Sequence, residues 1–155
     1  MIEILFILIV LIFVIAPFSL LFHEIGHVVG AKFMQATKIL LTVGVGKIIF
    51  SMTLQNIEIQ LRRLFVVNSF TSTIRNRPFT SKEKIFITMM GPLFSSLLAL
   101  VAYLLYRSVF SNIYIYMFFL FNLWLVFINL LPFKIGEKQS DGYTIVQIIF
   151  HELRN

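Results

Sequence analysis

The sequence predicts a membrane protein that is mostly α-helical. It reads as three transmembrane helices, a β-hairpin region after the first, and a short amphipathic helix at the C-terminal end. Three observations predict this. Hydrophobic residues fill 59% of the 155 positions and charged residues 13%, where a soluble domain carries about a quarter charged. Mean hydropathy is +0.92. The apolar residues fall in three long runs separated by polar and basic stretches. The length suits a single domain, 1–155. The net charge of +6 does not point to nucleic acid, because lysine and arginine flank the apolar runs, as in membrane orientation. There are no cysteines, so disulfides and thiolate metal ligands are excluded.

The first run, Ile4 to about Lys32, is one span, with a kink expected at Pro17. It is too long for a cleaved signal peptide, and no small-residue cleavage site follows it. Gly26 and Gly30 form a small-xxx-small pair that lets another backbone come close. Residues 37–70 change character: Gly44 and Gly46 precede β-branched segments, and Ile57, Ile59 and Leu61 alternate with polar residues. That period of two predicts strands, with a turn at Gln55-Asn56. Open sheet edges cannot face lipid, so the strands must pack on protein, dip partway in, or lie at the interface.

Residues 72–84 are polar and basic and read as a loop, with Ser81 as the cap of the next helix. Residues 85–106 form the second span, with Gly91-Pro92 in its first half, and 113–131 the third. After a polar loop, Gly142 to Leu153 reads as the amphipathic helix, with Asp141 at its start. Of 13 basic residues, Arg107 alone falls on the side away from the two long polar stretches. The positive-inside bias then predicts a multi-pass protein with its N-terminus outside.

The chemistry sits at the end of the first span, in His23-Glu24-Ile25-Gly26-His27. Residues four apart share one helix face, so both imidazoles can reach one zinc ion. Glu24 lies about 100° around the helix and can meet a water on the same metal as a general base. Ionisable groups at the end of an uncharged span are costly unless paired or functional. Positive-inside places this motif toward the cytoplasmic side, and Asn129, at the end of the third span, arrives at a similar depth. A catalytic zinc keeps three protein ligands. Asp141, the single aspartate, and Glu137 in the same loop are both candidates for the third. An aspartate before a helix can equally be its N-cap. His151 and Glu152 belong to a solvated helix face.

The chain resembles the site-2 protease family of intramembrane zinc metalloproteases. His23-Glu24-Ile25-Gly26-His27 is similar to the first family signature. Asn129-Leu130-Leu131-Pro132 followed by Asp141-Gly142 is similar to the second, with a longer gap after the proline. Gly91-Pro92 is similar to a family Gly-Pro motif, with Ser95 or Ser96 near where an asparagine often stands. Residues 37–70 resemble the family's re-entrant β-hairpin. Without a PDZ-like or CBS domain, the chain looks like a minimal member.

The resemblance implies a zinc endopeptidase with one Zn2+ per chain. His23, His27 and Asp141 would hold the metal, Glu24 would be the base, and Asn129 would assist catalysis. The implied substrates are membrane proteins or membrane-tethered peptides, in regulated intramembrane proteolysis, with a regulatory membrane partner. Asn129 has an interhelical hydrogen bond as its alternative role. The competing functions are a membrane-anchored zincin cutting non-membrane chains, which calls for a helical glutamate as third ligand, and a non-catalytic membrane scaffold.

Overall fold

The computed structural model describes residues 2–109, 111–136 and 138–154. The first span comprises α1 (Ile2–Val10), a π-helical turn (Leu11–Ile15) and α2 (Ala16–Phe33). Pro17, where a kink is expected, enters just after the wider turn. A proline inside a helix lacks an N–H and crowds the carbonyl four residues back; the π turn absorbs that mismatch. α1 buries none of its residues. The apolar side chains of α1, including Ile4, Leu5 and Phe6, face outward. Such a surface suits lipid rather than water.

β1 (Lys38–Leu54) and β2 (Ile57–Ile74) pair antiparallel across the Gln55-Asn56 turn, where Gln55 takes φ 55°. The hairpin then curls on itself. Ile39–Val43 lies between two stretches of β2: it runs alongside Ile57–Leu61 in the same direction and pairs with Ser69–Thr73 in the opposite one. The curl needs bends, supplied by Gly44 (φ 91°) and Asn68 (φ 64°). A side chain on Gly44 would strike the Leu64 carbonyl at 2.7 Å. The strand extends to Ile74, so the polar loop expected from residue 72 begins later. Ser72-Thr73 reads as loop because it is hydrophilic, yet threonine suits a strand.

Arg75 ties the end of the hairpin to two helices. It forks onto Glu83 at 2.9 and 2.8 Å, donates to the Met34 carbonyl at 2.8 Å, and lies over the Phe79 ring. α3 (Ser81–Ser108) then begins with Thr80, not Ser81, as its cap. The Thr80 hydroxyl accepts from the Glu83 N–H, and the Glu83 carboxylate accepts from the Thr80 N–H, a reciprocal capping box. α4 (Ile113–Leu130) is capped by Asn112. Two-residue strands β3 (Lys134–Ile135) and β4 (Lys138–Gln139) lead to α5 (Asp141–Arg154). The first span, α3 and α4 are each long and apolar enough to cross a membrane. The main core lies between α2, the hairpin and α3, around Val28, Ala31, Ile39, Leu41 and Ile87.

Candidate metal centre

α2 carries His23, Glu24 and His27 near its middle, where His23 and Glu24 are buried. Gly26 and Gly30 let α3 approach: a Cβ on Gly26 would overlap the Met90 carbonyl, and one on Gly30 would meet Met90 and Ile87. This is the packing role expected of the small-xxx-small pair. Gly91 repeats the device from the other helix. A Cβ there would overlap the His27 ring and come within 2.8 Å of His23 Nε2. The α3 backbone therefore forms the floor under both imidazoles.

Both rings are held from behind. Ser95 Oγ lies 3.0 Å from His23 Nδ1, and the Ile87 carbonyl lies 3.0 Å from His27 Nδ1. A carbonyl can only accept, so His27 carries its proton on Nδ1 and turns the Nε2 lone pair into the site. Ser96 does not take part; it bonds the Pro92 carbonyl of its own helix.

α5 brings Asp141 to the same point. Its Oδ2 lies 3.1 Å from His23 Nε2, and its Oδ1 lies 3.4 Å from His27 Nε2. Ser140, not Asp141, caps α5: its hydroxyl accepts from the Phe133 and Tyr143 N–H groups and donates to the Leu131 carbonyl. Gly142 packs against the Leu130 carbonyl so tightly that no Cβ would fit. The aspartate is thereby released from the capping role and fixed toward the histidines. Burial alone would push the Asp141 carboxyl up; the two imidazoles, when protonated and donating to it, hold it below the usual carboxylate range.

One ligand atom from each of His23, His27 and Asp141 falls within 4.8 Å of the others, a group that could hold a metal ion. The donor chemistry fits. With His27 protonated on Nδ1, an imidazole lone pair faces a carboxylate oxygen, and two acceptors so placed call for a cation between them. Two nitrogens and one oxygen suit zinc with a position left for water.

Glu24 is buried beside this group at 8% exposure. Its carboxylate accepts from Thr71 Oγ1 at 2.7 Å and from Ser69 Oγ at 3.4 Å. Ser69, Thr71 and Thr73 alternate on the inner face of β2, and all three line a cleft of about 870 Å3 with the histidines, Glu24, Asn129 and Asp141. Asn129 donates to the Leu125 carbonyl of its own helix at 2.9 Å. Glu137 lies outside the described residues. His151 and Glu152 are exposed and do not line this cleft. Ser69 and Thr71 were missed from sequence; the available signal was a run of hydroxyl residues at period two.

The model of peptidase family M50, the site-2 protease family, matches residues 6–114. The chain belongs to that family. M50 peptidases are zinc metalloproteases of membranes, and membership supports a metallopeptidase here. The match includes His23, Glu24, His27, Gly91 and Ser95 and stops before Asn129 and Asp141. No curated protein matches the chain.

Proposed function

We propose that this M50 chain is a single-domain intramembrane zinc metalloprotease, spanning 1–155, that hydrolyses peptide bonds in or near transmembrane segments. The carrying observation is the meeting of His23, His27 and Asp141 within 4.8 Å, with the carboxylate of Glu24 buried beside them. His23, His27 and Asp141 would hold one Zn2+. Zinc supplies Lewis acidity there, lowering the pKa of water and polarising the scissile carbonyl.

The remaining work falls to the chain. Glu24 takes a proton from the attacking water on a carboxylate oxygen and delivers it to the leaving amine. Thr71 and Ser69 hold that carboxylate in place. Asn129 spends one amide hydrogen on Leu125 and has a second for the developing oxyanion or a substrate carbonyl. A helical substrate must unwind before its amide bonds can be cut. Ser69–Ile74 borders the cleft and offers an edge on which the unwound segment adds as a strand. A re-entrant placement of the hairpin, with its exposed Ile48, Ile49 and Phe50 dipping into lipid, accords with this role. The charge bias supports a cytoplasmic-side site with the N-terminus outside. The zincin alternative calls for a helical glutamate as third ligand; in the proposed reading Asp141 takes that role.

The test uses detergent-purified protein, zinc determination, and a panel of single-span model peptides with a helix-breaking centre. Wild type should carry about one zinc per chain and cleave at the unwound centre. Glu24→Gln should keep zinc and lose cleavage by at least about a hundredfold, the scale of general-base catalysis. Equal cleavage by the two proteins, or a wild type that takes up no zinc, would overturn the reading.

A further inference from the structure

A second cleft, of about 650 Å3, lies between the start of α3 and the outer face of α5. Its charged lining groups are cationic or titratable to cations: Lys84, Arg154 and His151. No carboxylate lines it among the described residues. The rest of the wall is largely apolar or aromatic, with Tyr143, Val146 and Phe150. Beside it, α5 leaves Ile149, Phe150 and Leu153 exposed at 43%, 62% and 77%.

The position narrows the occupant. α3 is long and apolar enough to cross a membrane and begins at Ser81, so Lys84 stands in the first turn of a span. Cations at the end of a span, next to an exposed apolar stripe, match one ligand class in both parts: an anionic headgroup with a hydrocarbon tail. A soluble anion would leave Ile149 and Leu153 uncovered. A zwitterionic lipid would bring its own headgroup cation to the same place as its phosphate, against Lys84 and Arg154.

We propose that this cleft binds an anionic glycerophospholipid. Its phosphate lies between Lys84 and Arg154, and an acyl chain covers the Ile149–Leu153 stripe. Asp141 is the first residue of α5. The lipid therefore braces the helix that delivers Asp141 to the metal centre, and membrane composition reaches that centre through α5. The lipid site stands apart from the proteolytic reading; only this last consequence draws on it.

The experiment is native mass spectrometry of the full chain released from detergent. The probes are palmitoyl-oleoyl phosphatidylglycerol, phosphatidylcholine with the same chains, and inorganic phosphate. Wild type should retain one phosphatidylglycerol about tenfold more than phosphatidylcholine, roughly what losing or gaining one or two surface cations is worth. Phosphate should not displace it. Lys84→Gln/Arg154→Gln should lose that preference, whereas Lys47→Gln/Arg107→Gln, which removes the same charge from exposed positions elsewhere, should keep it. Lys84→Gln alone should give an intermediate loss and serves if the double variant does not fold. Equal retention of the two lipids by wild type, an unchanged preference in the cleft variants, or displacement by phosphate would each overturn the proposal. None of these results depends on cleavage, so the lipid site and the protease reading fail separately.

Discussion

The two halves of the candidate metal centre are built by opposite means. His23 and His27 come from one helical turn of spacing in α2, and their direction is fixed by the helix itself and by the α3 backbone beneath. Asp141 comes from 118 residues away from His23, on a helix reached through two tiny strands. Its direction depends on the Ser140 cap and on Gly142 lying against Leu130. A pair four apart is prealigned once the helix forms. A ligand from a distant limb is aligned only after the whole chain has packed.

The widest break in this comparison would come from ligand removal. His27→Ala should lose bound zinc, and Asp141→Ala should lose it as well, both read as zinc per chain after gel filtration. Zinc retained at one per chain in Asp141→Ala would mean the two halves are not joined by a metal. Gly91→Ala comes next, because its Cβ would enter the space of both imidazoles. It should lower zinc affinity at least about tenfold, in line with 1–3 kcal/mol for overpacking, while circular dichroism stays helical. An unchanged affinity would show that the rings can step aside. Ser95→Ala sharpens the picture at the smallest scale. Removing the hydroxyl behind His23 should weaken zinc by about 10–100-fold in competition titrations with a chelator. No change would assign His23 Nδ1 some other partner.

The same contrast explains what the sequence made legible. The three spans could be read because the bilayer demands long apolar runs. His23, Glu24 and His27 could be read because helical spacing alone places them. Asp141 needed the family resemblance, since an aspartate before a helix is more often its cap, and the cap turned out to be its neighbour Ser140. Thr71 was passed over because its role is set by the curl of the hairpin, which no local pattern announces. The π turn was hidden for a similar reason: Pro17 signals a disturbance, but a kink and a widened turn both relieve it. Thr80 and Ser81 are both good caps, and only the reciprocal bond with Glu83 separates them.

The first span has a consequence beyond packing. α1 buries nothing and meets the rest of the bundle at an edge, as where Phe6 stands against Tyr114. Its side chains can therefore change freely among apolar types with little effect on the arrangement around His23. Its length cannot change so freely, since each turn removed lowers the reach into lipid by about 5.4 Å. α1 works as a float: its length, more than the identity of its apolar side chains, sets how far the first span reaches.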